Sequence, residues 1–193
     1  MVTHLEQAWL QLDLSPHLLF NTLATIRNLI HEDPLAAQKA ISILSSLTKF
    51  YVRNRKKAAV LFNDELKQVR RLIDLYTIRW GKAVQLDIHM PHHYQQLRVM
   101  PMLLVLLVEN IIKYGCVTNA RHYPSLRISH HADRIDIFTE NVIRDDQPPE
   151  EDGLGIALAN IRDRLATQYP NKHGFETKQV GNRFYLHAFY VAS

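Results

Sequence analysis

Apolar residues recur along the first third of the chain with the period of a helix. From Leu5 to about Ile30 the marks are Leu19, Leu23, Ile26 and Ile30, spaced by four, three and four, which is one stripe of a 3.6-residue helix. Ser15-Pro16 interrupts this stretch. Proline removes a backbone donor and clashes one turn back, so either a new helix starts with Ser15 as N-cap and Pro16 in the first helical position, or a longer helix kinks there. Both readings make His17 a first-turn residue just past a break. Asp33-Pro34 predicts a second start, with Asp33 as N-cap and Ala37, Ile41, Leu44, Leu47 and Tyr51 as the apolar face. The cations from Arg53 to Lys57 suit its C-terminus. Two helices joined by so short a turn read as an antiparallel hairpin.

A third helix is predicted from Asn63 or Asp64 to Trp80, with Leu66, Val69, Ile73 and Tyr76 at helical spacing and Gly81 as the stop. The period then changes. Val84, Leu86 and Ile88 alternate with Gln85, Asp87 and His89, the pattern of a half-buried strand. Val99 to Gly115 reads as a lead-in and a buried helix. Leu126 and Ile128, then Ile135, Ile137 and Thr139, mark two strands turned at His131-Ala132-Asp133-Arg134. The acidic, Pro/Gly-rich stretch from Asn141 to Gly155 reads as a long loop, for which function is a better explanation than mere connection. Helical spacing resumes from Ile156 to Tyr169. Phe175 to Lys178 and Phe184 to Val191 close the chain as a hairpin turned at Gly181-Asn182. The fold class expected is α+β: a helical hairpin over about residues 1–57 and an α/β domain over about 60–193.

Composition narrows the classes. With 47% hydrophobic and 22% charged residues in 193, the chain can bury a core, which excludes a disordered or low-complexity protein. The longest uncharged apolar run, Val99 to Val108, is about half of what a membrane-spanning helix needs. The N-terminal residues lack the basic and apolar regions of a signal peptide. A single cysteine, Cys116, excludes a disulfide framework and a multi-cysteine zinc site, and points to a reducing cytosol. A net charge of +4 does not by itself argue for nucleic acid, and the Arg53 to Lys57 cluster reads first as a solvated helix end. The adjacent pairs His92-His93 and His130-His131 diverge on a strand and make a poor metal site.

Three segments carry candidate chemistry. His17 and Asn21 share a helix face that the apolar stripe does not need, and a partly neutral imidazole can attack a phosphoryl group. Glu109-Asn110 follows eight apolar positions, with Lys113 nearly one turn on. A buried carboxylate demands a cation or donor, and a carboxylate, an amide and a lysine together suit Mg²⁺ and nucleotide phosphates. Finally, Gly153-Leu154-Gly155 runs into a helix whose N–H groups favour phosphate, although the Gly-Lys-Ser/Thr element of a P-loop is missing.

In order, these segments resemble the LytS-type sensor histidine kinases. Pro16-His17-Leu18-Leu19-Phe20-Asn21 is similar to that family's Pro-His-Phe-Leu-Phe-Asn box. Tyr76-Thr77-Ile78-Arg79-Trp80 is similar to its Tyr...Arg-Phe helix, and Pro101 through Gly115 to its N-box. Gly153 through Leu165 is similar to its closing glycine box, in which Asn160 and Arg164 also match. The resemblance implies a dimerising hairpin with His17 as phosphoacceptor, followed by a two-layer α/β sandwich of the gyrase and histidine-kinase ATPase type. It further implies ATP and Mg²⁺ as cofactors, with Asn110 holding the metal and Glu109 acting as base or orienting the imidazole. Lys113, Gly153, Gly155 and Asn160 would serve the nucleotide. Where the family carries Asp-x-Gly to read adenine, this chain has Thr139-Glu140-Asn141-Val142, so Glu140 or Asn141 would substitute.

The implied protein is a homodimeric, cytoplasmic two-component kinase core that autophosphorylates on His17 and passes the phosphate to a response-regulator aspartate. Contact with a membrane would come only through an upstream region, so the chain reads as a stand-alone kinase or the soluble end of a longer membrane protein. The altered adenine box motivates the alternative of a kinase-like scaffold that dimerises and binds a regulator without phosphorylating itself. A nucleic-acid-binding regulator ranks last, for want of a recognition helix.

Overall fold

A computed structural model describes residues 16–54, 56–91, 93–118, 123–144 and 153–191, with side chains described from Leu18 in the first helix and from Leu158 in the last. The choice between a Ser15 cap and a kinked longer helix lies outside those residues, as do His92 and the acidic run 145–152. Helix α1 (Pro16–Glu32) and helix α2 (Pro34–Asn54) meet at Asp33 and pack on one another. The Asp33 carboxylate accepts a hydrogen bond from the Ala36 N–H at 3.0 Å, the N-cap expected from Asp-Pro.

The buried stripes of this hairpin differ from the apolar spacing of the sequence. Helix α1 buries Leu18, Thr22 and Ile26, and α2 buries Ala37, Ala40, Ile43, Leu47 and Tyr51. Leu23, Ile30 and Ile41, expected inside, are about half exposed. Both helices are apolar over more than one face, so periodicity finds an apolar stripe without deciding which face the chain itself covers. Thr22 enters the core because its hydroxyl donates to the Leu18 carbonyl at 2.7 Å, one turn back, leaving its methyl to pack.

Strand β1 (Val60–Leu61) leads into helix α3 (Phe62–Trp80), which stops at Gly81 with φ +61°, a left-handed C-cap. The alternation expected over 84–88 is present in burial, yet the ladder of β2 (Asp87–His89) is only three residues long. Ahead of it the Gln85 N–H is taken instead by the Val117 carbonyl, at 2.9 Å. Strand β3 (Arg98–Val99) pairs antiparallel with β1 and leads to helix α4 (Leu103–Tyr114). Every residue of α4 from Leu103 to Ile112 is buried, because α3, α5 and strand β5 all pack against it.

Strands β4 (Ser125–His131) and β5 (Arg134–Val142), helix α5 (Gly153–Gln168), and strands β6 (His173–Val180) and β7 (Arg183–Val191) complete the chain. They form a mixed five-stranded sheet in the order β2-β4-β5-β7-β6, parallel only between β2 and β4. Gly181-Asn182 turns the β6–β7 hairpin, with Val180 opposite Arg183 and Gly181 at φ +60°. Leu126, Ile128, Ile135, Ile137, Leu186, Ala188 and Tyr190 face the helices and are buried.

On the other face Arg134, Asp136, Phe138, His187 and Phe189 form a polar and aromatic ladder. Phe138 and His187 stack with centroids 4.1 Å apart, and the Arg134 guanidinium lies 3.8 Å from the centroid of Phe189. The result is a sheet covered by helices on one side, with one continuous core running from Leu18 to Tyr190.

Candidate functional site

The site is built on the C-terminal end of α4, where the chain changes from apolar to polar without leaving the interior. Glu109 and Asn110 are 6% and 8% exposed. The side-chain nitrogen of Asn110 is buried with no hydrogen-bond partner, and so is the hydroxyl of Tyr114. Buried polar atoms are normally satisfied, so two orphans at one helix end make it a candidate ligand site. Lys113 is half-buried, with its ammonium 5.0 Å from the centroid of the Tyr114 ring.

Helix α3 supplies the neighbouring wall. Burial and the negative charge of Glu109 both push the Tyr76 phenol far above its ordinary range, with Arg79 opposing. Tyr76 meets Trp80 edge to face at 5.1 Å, and the Arg79 guanidinium lies 5.6 Å from the Tyr76 ring. Arg144, just beyond β5, reaches to 5.9 Å from the Trp80 ring, while its backbone N–H donates to the Tyr114 carbonyl at 3.1 Å. Arg79 and Arg144 thus lie against the aromatic pair Tyr76 and Trp80 of α3, while Lys113 lies against Tyr114 at the end of α4.

Strand β5 supplies the third wall. Gly115 ends α4 and bridges to Ile143, and the Cys116 N–H donates to the Val142 carbonyl at 2.9 Å. A Cβ at Gly115 would lie 2.5 Å from the Ile111 carbonyl oxygen and 3.0 Å from the Asn141 Cβ. Only glycine lets helix and strand come this close. Asn141 is 3% exposed and points, with Ile135, Ile137 and Thr139, toward the helices.

Glu140 departs from expectation. Consecutive strand residues face opposite sides, so Glu140 lies on the open face of the sheet, where its carboxylate forms an ion pair with Arg183. It is therefore removed from the candidate site, and Asn141 remains. Gly153 and Gly155, expected in a loop, already belong to the first turn of α5. Asn160 lies on the exposed side of α5, while Leu158, Ile161 and Leu165 are buried. His17 and Asn21 sit in the first two turns of α1, at the other end of the chain from the remaining candidates.

Tyr76, Arg79 and Trp80 were legible only as a similar motif, with no chemistry assigned to them from sequence. Arg164 is another such residue: its guanidinium donates to the Pro101 carbonyl at 2.7 Å, tying α5 to the turn before α4. Among the described residues no group of three or more His, Cys, Asp and Glu side chains is arranged to hold a metal ion, and no helix is long and apolar enough to cross a membrane.

Comparison with known proteins supplies a context for this geometry. Residues 5–84 match the sequence profile of the family described as Histidine kinase. Sensor protein kinase HptS of Staphylococcus aureus is 29% identical over 168 residues, which is 86% of this chain. The chain spans only 29% of that relative's length. Among solved structures, a bacterial phosphotransferase superposes with a TM-score of 0.55 at 10% identity, covering 89% of this chain and 90% of the other. A histidine kinase from Burkholderia phymatum STM815 gives 0.50 at 13% identity, covering 93% and 100%. Acinetobacter baumannii histidine kinase AdeS gives 0.50 at 11%, covering 81% and 79%.

Proposed function

We propose that this chain, which has the fold of histidine kinase catalytic domains, is the ATP-dependent core of a sensor histidine kinase of the LytS type. In this reading a neutral nitrogen of the His17 imidazole forms a bond to the γ-phosphorus of ATP as the bond to the β-phosphate oxygen breaks and ADP leaves. A response-regulator aspartate then takes the phosphoryl group. The observation that carries the reading is the buried Glu109-Asn110 pair at the end of an otherwise apolar helix, with an orphaned amide on Asn110 and Lys113 following at the same helix end. Such a site offers little covalent chemistry. It offers what phosphoryl transfer needs, positioning and charge neutralisation.

Each residue then has a role. Glu109 accepts or orients the imidazole proton when His17 is presented, and Asn21 steadies that imidazole from the next turn of α1. Asn110 directs its amide at the nucleotide phosphates, with Lys113 beside it as a point charge. Asn141, on the helix-facing side of β5, reads the base end, and the backbone N–H groups at Gly153 and Gly155 open toward phosphate. The residues fit Mg²⁺: a hard cation takes oxygen ligands, the Asn110 amide oxygen is one, and the bound ion would neutralise phosphate charge. The hairpin supports a homodimer. Six of the nine exposed large apolar side chains among the described residues, including Phe20, Leu23, Ile30 and Leu35, lie on α1 and α2, more than a solvated hairpin carries.

Incubation with γ-labelled ATP and Mg²⁺ tests the reading. Label on the protein, chased onto a receiver domain, is the expected result. ATP binding with no label at any protein concentration would replace the kinase by the non-phosphorylating scaffold.

A further inference from the structure

We propose that the groove between α2, α3 and β3 is a binding site for a multiply phosphorylated anion, separate from the nucleotide site and independent of the kinase reading. The groove has a volume of about 640 Å³. Lys49 and Arg53 line it from successive turns of α2, and Lys57 follows from the connection to β1. Lys67 and Arg71 face it from successive turns of α3, and Arg98 reaches it from β3. Six cations surround one carboxylate, Asp64, a formal +5, while the whole chain sums to +4. The net positive charge of the protein is thus collected around one concavity.

Ordinary structural demands account for little of this. A helix C-terminus favours a cation such as Arg53. It gives no reason for Lys67, Arg71 and Arg98 to gather opposite. Like charges gathered around one groove repel one another. The available neutralisation is partial: Lys67 meets Asp64 at 3.0 Å, and Arg71 donates to the Gln68 side-chain amide oxygen Oε1 at 3.0 Å. Lys49, Arg53, Lys57 and Arg98 form no ion pair among the described residues.

Phosphate matches this donor set. Arginine forks bind its oxygens bidentately and lysines add point charge, so cations converging from three directions suit an anion with several phosphate groups better than a single carboxylate. The size of the groove suits a compact ligand. A free polyphosphate and a phosphate-bearing lipid headgroup share this chemistry.

The test is calorimetric titration of the full chain with inorganic tripolyphosphate in magnesium-free buffer, alongside sedimentation with vesicles of phosphatidylglycerol and of phosphatidylcholine. The double variant Arg53→Ala/Arg98→Ala removes two exposed cations, and its thermal transition checks that the fold is kept. Asn110→Ala controls for phosphate entering the nucleotide site. The expected result is saturable tripolyphosphate binding that weakens at least tenfold in the double variant, weakens with added salt, and survives Asn110→Ala. Binding to phosphatidylglycerol vesicles alone, lost in the double variant, also supports the site and names a headgroup as its source. Binding to neither probe, or binding abolished by Asn110→Ala and untouched by the double variant, overturns the proposal whether or not the protein is a kinase.

Discussion

The carboxylate of Glu65, in the first turn of α3, accepts a hydrogen bond from the Met102 backbone N–H at 2.5 Å, directly ahead of α4. Helix α4 has no capping side chain of its own, and Met102 sits in the left-handed region at φ +66°. A residue 37 positions earlier therefore does the work of an N-cap. The N–H groups of Leu104 and Val105 also face the carboxylate, and the charge of Arg164 favours its ionised form. Since Arg164 also holds the Pro101 carbonyl, one buried knot joins the three helices that cover the sheet.

Removing this carboxylate leaves buried donors unmet. Glu65→Ala is expected to cost about 3–5 kcal/mol, because it strands the helix N–H groups and the Arg164 charge together. Glu65→Gln keeps a carbonyl acceptor and should cost clearly less. Urea unfolding of the three proteins measures the difference, and equal losses for the two variants would contradict the capping role.

The same residue sets a pH dependence. Burial pushes the Glu65 carboxyl from 4.5 up to about 7, against the N–H groups and Arg164. With the folded value above the unfolded one, the native state holds the extra proton. The stability this residue contributes is complete below about pH 4.5 and is lost as pH rises toward 7. At about 1.4 kcal/mol per unit the change is on the order of 3 kcal/mol. Wild-type stability relative to Glu65→Gln should therefore fall across that window and flatten above it.

Gly115 is predicted to be intolerant of a single methyl group. In Gly115→Ala the new Cβ presses on the Ile111 carbonyl and on Asn141, with an overpacking cost of about 1–3 kcal/mol. Because the displaced neighbour is Asn141, nucleotide affinity should drop more than tenfold at temperatures where the variant remains folded. Circular dichroism with a fluorescent ATP analogue separates the two effects, and unchanged affinity would remove Asn141 from the site.

Much of this architecture was legible in the chain because it is local. Asp33 and Gly81 announce helix boundaries through capping chemistry, and Gly181-Asn182 announces a two-residue hairpin. The helix from Leu103 stands out by its unbroken apolarity. Features depending on distant partners were not legible: nothing near Glu65 says that it caps another helix, and nothing near Tyr76 says that it lies in the field of Glu109. The buried stripes of the hairpin differ from its apolar spacing because two apolar faces compete and only tertiary packing chooses between them. Glu140 is a different case. Ile135, Ile137 and Thr139 already put Asn141 on the buried face by alternation, so the signal that rejects Glu140 was present in the sequence.

The orphaned amide of Asn110 predicts a specific loss. Asn110→Ala should weaken Mg-ATP binding by at least tenfold, about 1.4 kcal/mol, with thermal stability unchanged or slightly raised, since a buried unsatisfied group is removed. Calorimetry in the presence and absence of Mg²⁺ reads this directly. Undiminished affinity would mean that the nucleotide site lies elsewhere.

The central claim is phosphoryl transfer to His17, and the direct measurement is mapping of the label after incubation with γ-labelled ATP and Mg²⁺. Wild type is expected to carry an acid-labile, alkali-stable label on the peptide containing His17, and His17→Gln to carry none while still binding ATP. Label persisting in His17→Gln, or a wild-type protein that binds ATP and acquires no label, would contradict the account.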